Sequence, residues 1–336
     1  MRNHYNKKRH KKNIKQSTHP FVSICTPTYN RRPFFKELIK CFNSQTYPKD
    51  RIEWIIIDDG TDKIEDVIKD VERVKYFKYD VKMTLGEKRN VMHTKCSGSI
   101  IVYMDDDDYY PPERVSHAVE KLLENPEVLC AGSSELYMYF NHLEKIYKFG
   151  PYGKNHATAG TFAFKKKLLS QTKYNNRSSL AEEKEFLKNY TIPFVQLDPL
   201  KTILVFSHDH NTFDKKKLLD NINPNFIKET DKTIDMFIPN KDTIKFYTND
   251  INKLLEDYKP GRANMKSDVL LQMIEIEESR RKHAEKLLNT QSQQIILTDP
   301  CGNKRPLNMN EIIQLIQQQQ QKIRNLEEHI KKNNLN

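Results

Sequence analysis

Three short apolar runs, each followed at once by a polar loop, constrain most strongly what this chain can fold into. The runs cover residues 21–25, 54–57 and 100–104, and segments with helical spacing of apolar residues lie between them. Runs that are apolar on both faces are typical of strands buried in a parallel sheet. The alternation therefore predicts an α/β fold, in which a Rossmann-like, mostly parallel sheet is flanked by helices.

The loops after these runs are expected to meet, because parallel strands present their carboxyl ends at one edge of the sheet. They cover residues 26–30, 58–61 and 105–108, and the last consists of four consecutive aspartates. On a solvated surface four carboxylates would be ordinary, but at an enclosed strand end their mutual repulsion is costly. A divalent cation would relieve the repulsion, and carboxylate oxygens suit Mg²⁺ or Mn²⁺. The sequence thus predicts a metal site here.

Four motifs follow one another in the first third of the chain: FVSICTPTYN at residues 21–30, WIIIDDGT at 54–61, GEKRN at 86–90 and YMDDDDYYPP at 103–112. Together they resemble the nucleotide-binding half of family 2 glycosyltransferases. The resemblance covers roughly residues 20–212 and is sharpest up to about residue 115. It implies a GT-A fold, a nucleotide-diphosphate sugar donor, usually a uridine nucleotide, and an enzyme of hexosyltransferase type that inverts the anomeric carbon.

The resemblance also implies where the nucleotide would bind. Asp59 would accept a hydrogen bond from the imide N–H of the base, while ribose hydroxyls could donate to Asp58. Lys88 and Arg89 would steady the diphosphate, although an ordinary surface helix start is the alternative. The residues expected to line the base are Thr26, Pro27 and Tyr29.

The Asp-x-Asp metal motif of the family falls on Asp105 and Asp107 in this sequence. Asp107 is the expected metal ligand, and Asp105 is expected on the ribose side. Because four acids stand in a row, the register is ambiguous by one. Asp106, on the nucleotide side, and Asp108 therefore remain substitutes for these roles.

Inverting transfer requires a base opposite the leaving group, to take the proton of the acceptor hydroxyl. The resemblance places this base at Glu183, preceded by Glu182, where the family commonly has aspartate. The sequence predicts a helix from Ser179 to Tyr190, with Ser179 as its N-cap. The alternative is that both glutamates are merely acids at a helix start.

A closing loop, SHDHNT at residues 207–212, resembles the histidine-containing loop of the family. There a histidine can supply a further metal ligand or contact the diphosphate, and imidazole suits Mn²⁺. We expect His208 to be this ligand, and His210 is the alternative.

Composition sets the expected domain organisation. The net charge is +11, but residues 1–15 hold seven Lys or Arg and no acid, which leaves +4 for the rest. Residues 1–19 are predicted to be a basic disordered tail, which could hold nucleic acid, an anionic membrane or an acidic partner, or could simply be solvated. Residues 20–214 would form the GT-A domain, 215–300 a helical extension and 301–336 a C-terminal helix. A short coiled coil, and hence a homo-oligomer, could form along this helix on Ile312, Ile316, Gln319, Ile323, Leu326 and Ile330.

No apolar run suggests a membrane span or a secretory signal, and the five cysteines lack paired spacing, so we expect a cytoplasmic protein with reduced thiols. The predicted function is metal-assisted transfer from a nucleotide sugar, most simply a UDP-sugar, to a hydroxyl on a glycan, protein or lipid. The alternatives are a catalytically inactive glycosyltransferase-like binding protein and a basic nucleic-acid-binding protein.

Overall fold

The structure is a computed structural model that describes residues 19–220, 222–292, 296–298, 302 and 304–333. The contacts divide the chain into two compact units, Met1–Leu270 and Leu271–Asn336. The predicted basic tail lies outside the described residues, except for His19 at its end.

The first unit contains eleven strands among its described residues. They are β1 (Val22–Thr28), β2 (Ile52–Asp58), β3 (Val74–Lys78), β4 (Ile100–Tyr103), β5 (Cys130–Gly132), β6 (Leu136–Phe140), β7 (Lys145–Phe149), β8 (Ala163–Lys165), β9 (Phe194–Gln196), β10 (Leu204–Ser207) and β11 (Ile227–Glu229).

Helices follow most of these strands. They are α1 (Phe35–Ser44), α2 (Glu65–Ile68), α3 (Leu85–Lys95), α4 (Arg114–Glu124), α5 (Glu183–Phe186), α6 (Lys241–Lys245), α7 (Ile251–Asp257) and the start of α8 (Ser267–Ser292). Short 3₁₀ turns cover Arg32–Phe34, Lys49–Arg51, Ala159–Thr161, Lys166–Ser170, Pro199–Lys201, Lys215–Leu219, Ile234–Met236, Lys259–Gly261 and Ala263–Met265, and Phe246–Asp250 is a π-helical turn.

The main sheet has seven strands in the order β3-β2-β1-β4-β8-β5-β9. Its first four strands are parallel, and β8 then runs antiparallel to both β4 and β5. The register pairs Thr28 with Asp58 and Cys25 with Tyr103, so the polar loops after β1, β2 and β4 meet at one edge. The predicted mostly parallel sheet flanked by helices is confirmed.

Alternate residues of the buried strands enter two separate cores, one on each face of the sheet. Ile24, Trp54 and Ile56 belong to one core, and Cys25 and Ile55 belong to the other. Both faces are covered, which explains why these runs are apolar without alternation.

A second sheet, in the order β10-β6-β7-β11, adjoins the aspartates. Strands β6 and β7 form an antiparallel hairpin. Tyr109, directly after the aspartates, bridges to Leu204 of β10, and the hydroxyl of Tyr247 donates to the carbonyl of Asp108 at 3.0 Å. These contacts hold the segment after β4 against the second sheet.

The predicted end of the first domain at residue 214 does not coincide with the division of contacts at Leu270. Ile238, Tyr247, Ile251 and Leu255 are buried in the same core as the strands of the main sheet. Residues 215–270 are rich in Lys, Asn and Asp, and this composition concealed the four apolar residues. Residues 215–270 are therefore part of the first unit.

Within the second unit, β12 (Ile296–Thr298) pairs with β13 (Lys304–Pro306), and α9 (Met309–Asn333) follows. The predicted coiled-coil seam lies along α9, where Ile316 is 52% and Leu326 is 62% exposed. Pairing through this seam remains a prediction. No helix in the described part of the chain is both long and apolar enough to cross a bilayer.

Candidate functional site

A cleft opens at the carboxyl ends of β1 and β4, and we call it the strand-end cleft. Four acidic and five basic side chains line it, so most of its charge is balanced within the protein. Its lining residues are Pro27, Tyr29, Arg31, Lys82, Met83, Leu85, Lys88, Arg89, Asp105, Asp106, Asp107, Ser179, Thr212, Lys266, Asp268 and Val269.

A second cleft of about 340 Å³, which we call the acid-lined cleft, adjoins it. Both clefts are lined by Arg89, Asp105 and Asp107, so these three residues lie on the wall between them. Its volume falls in the range of small-molecule sites. Glu182 and Glu183 line this second cleft.

Asp105 and Asp107 face different partners. Asp105 Oδ1 lies 3.5 Å from an Nη atom of Arg89, and burial raises the pKa of Asp105. Asp107 Oδ2 lies 3.2 Å from Nε2 of His208. Burial alone would raise the pKa of Asp107, but His208, Lys215 and Arg31 outweigh it and hold that pKa well below its ordinary value. Asp107 is therefore the aspartate most firmly kept as a carboxylate.

Asp106 and Asp108 are more deeply buried. Asp106 lies 3.6 Å from Nε of Arg31, whereas Asp108 accepts a hydrogen bond from the backbone N–H of Phe206 at 3.0 Å. Burial raises the pKa of both carboxyl groups to about 7, and the Asp107 charge adds to the effect. Asp108 thus anchors the second sheet, while Asp106 still borders the strand-end cleft.

Arg31, which the sequence motifs did not single out, joins these acids. Its guanidinium lies 3.6 Å from both Asp106 and Asp107. The same group donates to the backbone carbonyls of His210 and Gly261, at 2.7 and 3.1 Å. Arg31 therefore neutralises part of the acidic cluster and fixes the loop after β1.

The two carboxylates after β2 have separate environments. Asp58 accepts hydrogen bonds from the backbone N–H groups of Gly60 and Ile64 and from the hydroxyl of Tyr76, and it is not among the residues lining either cleft. Asp59 accepts from the backbone N–H of Met83 at 2.7 Å and pairs with Lys88. Asp59 thereby lies directly behind the wall of the strand-end cleft.

Lys88 and Arg89 are both buried, which argues against an exposed helix start. Lys88 Nζ donates to the carbonyl of Thr28 at 3.0 Å and to Asp59, and burial lowers the pKa of Lys88. Arg89 Nε donates to Glu182 at 3.1 Å, and its guanidinium lies 4.3 Å from the ring centroid of Tyr103. Both cations line the strand-end cleft.

The three residues expected to line the base divide into two groups. Pro27 and Tyr29 line the strand-end cleft. Thr26 does not, because its hydroxyl donates to the carbonyl of Met104 at 2.6 Å and accepts from Trp54 Nε1 at 2.9 Å. Thr26 therefore ties three strands together at their ends.

Glu183 begins α5 and faces the acid-lined cleft. Burial, followed by the charge of Glu182, raises the pKa of Glu183 to about 7. A carboxyl group with such a pKa can exchange a proton near neutral pH, as general bases do. The helix is much shorter than predicted, because Ala181 before it and Lys188 beyond it adopt positive φ angles of 52° and 49°.

The side chains of the two histidines in the closing loop have different neighbours. His208 Nε2 lies beside Asp107, and its Nδ1 accepts from the backbone N–H of His210 at 3.2 Å. His210 instead lies parallel to the ring of Tyr258, with 6.4 Å between ring centroids. Burial lowers the pKa of His208 to about 4, so its imidazole is neutral at neutral pH, as a metal ligand must be.

The donor atoms near Asp107 suit a divalent cation that is completed by substrate and water. Carboxylate oxygen and neutral imidazole are ligands that Mn²⁺ accepts. Asp105 Oδ1 is buried and makes no hydrogen bond to any described residue. Within the described ranges, however, no group of three or more His, Cys, Asp or Glu side chains is arranged to hold a metal by itself. The residues present thus fit a metal that shares its coordination with a ligand.

Residues 258–269, which we call the strap, form one wall of the strand-end cleft. On one side the strap carbonyls of Pro260, Gly261 and Met265 accept hydrogen bonds from Asn30, Arg31 and Tyr29. On the other side Asp268 pairs with Lys82 at 2.6 Å and accepts from the hydroxyl of Ser179 at 2.7 Å.

Lys266 of the strap is only 5% exposed, and its Nζ donates to the hydroxyl of Thr212 at 2.8 Å. Burial lowers the pKa of Lys266 well below its ordinary value. No carboxylate of the described residues pairs with it within 4.0 Å. A buried amine on the wall of a cleft is costly unless an anion approaches it.

The fold and the site define an α/β domain with a ligand cleft at the carboxyl ends of its parallel strands. Residues 23–177 of the chain match the model of a known family, Glycosyl transferase family 2. For this part of the chain, the match confirms the resemblance that the four motifs indicated.

Curated relatives match about a third of the chain. An uncharacterized glycosyltransferase of Haemophilus influenzae is 31% identical over 120 residues, which are 34% of this chain and 47% of that protein. The glycosyltransferase AglE of Haloferax volcanii is 32% identical over 99 residues, which are 27% of this chain and 32% of that protein. The chain thus spans less than half the length of these relatives.

Solved structures match the chain at lower sequence identity than these relatives do. The mannosyltransferase PcManGT from Pyrobaculum calidifontis, in complex with GDP-Man and Mn²⁺, has a TM-score of 0.46 and 16% identity, over 56% of this chain and 57% of that one. Residues 1–349 of TarS from S. aureus, in complex with UDP-GlcNAc, have a TM-score of 0.42 and 18% identity, over 55% of this chain and 58% of that one.

Proposed function

We propose that this chain transfers a sugar from a nucleotide-diphosphate donor, a uridine nucleotide, to an acceptor hydroxyl with inversion at the anomeric carbon. One observation carries the proposal: the strand-end cleft and the acid-lined cleft share the wall formed by Arg89, Asp105 and Asp107. A sugar bound at that wall would have the departing diphosphate on one side and a base on the other, as in-line displacement requires.

The donor would occupy the strand-end cleft. Pro27 and Tyr29 line the side expected to hold the base. Asp59 lies behind Met83 and Lys88, so it would accept the imide N–H only once this wall opened toward the base. Lys88, Arg89 and Lys266 would hold the diphosphate, because cationic donors make strong hydrogen bonds to phosphate oxygens. Lys88 would share its donors between Asp59 and the phosphates.

Asp107 and His208 would hold the divalent cation, Mn²⁺ or Mg²⁺, with Asp105 on the ribose side. When bound, the ion supplies positive charge that stabilises the leaving diphosphate. The protein residues contribute the rest: Arg31 holds Asp107 in place from 3.6 Å, and Asn211 lies 3.5 Å from the same carboxylate oxygen.

Glu183 would act as the base. With a pKa of about 7, about half of the Glu183 carboxyl groups are deprotonated at neutral pH, and these can accept a proton as the acceptor hydroxyl attacks. Glu182 cannot take this role as easily, because it is paired with Arg89 at 3.1 Å. The Glu182 charge instead keeps the pKa of its neighbour high.

The first test is a screen of common nucleotide sugars for the release of nucleoside diphosphate, with Mn²⁺ present. Release should require Mn²⁺ or Mg²⁺ and fall by roughly 100-fold or more in Asp107→Ala. Asp70→Ala is the matched control, because Asp70 is exposed and lies outside both clefts. Full activity of Asp107→Ala, or activity without any divalent cation, would contradict the proposal.

A catalytically inactive, nucleotide-binding protein is the second candidate, and the glutamate at position 183 favours it because the family commonly has aspartate there. Calorimetry with uridine diphosphate separates the two when read with the screen. Metal-dependent binding without turnover of any donor would support the inactive protein. Binding together with turnover would support the enzyme.

A further inference from the structure

Four aromatic side chains form a continuous row on the first unit, and we call it the aromatic row. Phe226 stacks on Tyr152 with 5.3 Å between ring centroids and 24° between ring planes. Tyr152 lies 5.0 Å from His156, and His156 lies 5.0 Å from Tyr190. Neither cleft described above is lined by any of these four rings.

The outer end of the row is unusually open to solvent. Among the Phe, Tyr and Trp residues that the structure describes, Tyr152 and Phe226 are the two most exposed, at 44% and 37%. Aromatic side chains usually bury most of their surface, because each removes a large apolar area from water. Two exposed rings stacked on each other therefore indicate a binding surface.

The inner end of the row adjoins the acid-lined cleft. Tyr190 follows α5, and the backbone at Lys188, Asn189 and Tyr190 has positive φ angles of 49°, 55° and 61°. The backbone N–H of Leu187 donates to the carbonyl of Glu183 at 2.9 Å, and the backbone N–H of Thr191 donates to the carbonyl of Leu187 at 3.1 Å, so the turn that carries Tyr190 directly continues the one that carries Glu183. His156 lies two residues before Thr158, which lines the acid-lined cleft.

Polar groups accompany the rings. A cavity of about 420 Å³ is lined by Tyr152 together with Ser134, Glu135, Lys154 and Gln196. The mixture of an exposed ring with hydroxyl, carboxylate, ammonium and amide groups matches a ligand that has both C–H faces and many hydroxyls. Some of these groups also bond within the protein: Gln196 donates to the carbonyls of Lys154 and His156, and the Ser134 hydroxyl accepts from the backbone N–H of Tyr152. These bonds fix the segment that carries Tyr152.

We propose that the aromatic row is a binding track for a saccharide chain, which presents its terminal hydroxyl to Glu183. Sugar rings place polarised C–H groups against the electron-rich faces of aromatic rings, while their hydroxyls bond to the surrounding polar side chains. The inference rests on the proposed function, and it assigns the acceptor to the carbohydrates. A protein or lipid acceptor without a glycan would not bind along the aromatic row.

The test is saturation-transfer NMR on the full chain with three probes: cellotriose, chitotriose and mannotriose. At least one should bind the wild-type protein, and Tyr152→Ala and Phe226→Ala should each weaken that binding by about tenfold. Tyr152→Phe keeps the ring and should bind nearly as the wild type does. Tyr147→Ala removes another partly exposed tyrosine, outside the row, and should have no effect.

Two further outcomes decide the proposal. If the wild type binds none of the trisaccharides, or if Tyr152→Ala binds them unchanged, the track is overturned. Release of nucleoside diphosphate from the donor without acceptor should be the same in Tyr152→Ala as in the wild type, which also shows that the variant folds. If no donor is turned over but trisaccharide binding still depends on Tyr152, the proposed function fails and the saccharide site stands.

Discussion

Glu183 combines an acid-lined position with a pKa of about 7, and this pairing has a measurable consequence for pH dependence. A base works in its deprotonated form, so kcat should rise with pH and level off above about 7. Glu183→Gln cannot accept a proton and should lower kcat by roughly 100-fold to 10,000-fold with little change in donor KM. The measurement is the pH profile of nucleoside diphosphate release with acceptor present.

Glu185→Gln is the matched control, because Glu185 lies on the same short helix but is exposed. Its profile should follow the wild type. A Glu183→Gln variant that keeps the same profile and rate would exclude Glu183 as the base. Glu183→Asp restores the residue common in the family and should retain more activity than Glu183→Gln.

The sequence could locate the four aspartates at a strand end, but not their separate environments. A run of four identical residues contains no information on which carboxylate meets which partner. The partners come from distant positions: Arg31 for Asp106, His208 for Asp107 and Phe206 for Asp108. Only the folded chain brings these residues together.

Arg31 itself could have been identified earlier, because it directly follows the TPTYN motif whose loop lies at the sheet edge. A basic residue one position beyond a motif is a weak signal by itself, since arginine is common on surfaces. Its near-complete burial beside Asp106 and Asp107 supplies the missing information.

At the scale of elements, the strap leads to a prediction on nucleotide affinity. Lys266→Met should raise the Kd for uridine diphosphate by roughly tenfold or more, because a charged hydrogen bond to phosphate is lost. Lys266→Arg keeps the charge and should recover much of the affinity. Calorimetry in the presence of Mn²⁺ measures both changes.

Lys259→Met is the control for this experiment, because Lys259 belongs to the strap but is exposed and does not line the cleft. Its Kd should equal that of the wild type. If Lys266→Met binds uridine diphosphate as tightly as the wild type, Lys266 has no role in holding the diphosphate.

The elements up to about residue 115 could be predicted because apolar runs and polar loops alternate regularly there, as is typical of an α/β fold with a parallel sheet. The predicted helix from Ser179 to Tyr190 was wrong in length, since the left-handed backbone at Ala181 and after Leu187 confines α5 to four residues. The strap was missed because several of its contacts run through backbone carbonyls, such as that of Gly261, which leave no trace in a side-chain pattern. Its side-chain contacts join residues far apart in the sequence, such as Lys82 and Asp268.

At the scale of the whole molecule, every residue that lines the two clefts precedes Leu271. A chain that ends at Leu270 should therefore fold and bind uridine diphosphate with the Kd of the full chain. Calorimetry on both proteins tests this, with thermal unfolding as the check on folding. A large loss of affinity would mean that the second unit takes part in nucleotide binding.

The strap has a further consequence for the order of events during turnover. Tyr29, Asn30 and Arg31 hold one side of the strap by hydrogen bonds, and Lys82 and Ser179 hold the other. If the strap covers the bound nucleotide, these contacts have to open before the nucleotide leaves. If the proposed transfer takes place in this cleft, the glycosylated product leaves first and the nucleoside diphosphate leaves last. Inhibition by added nucleoside diphosphate should then be competitive with the donor.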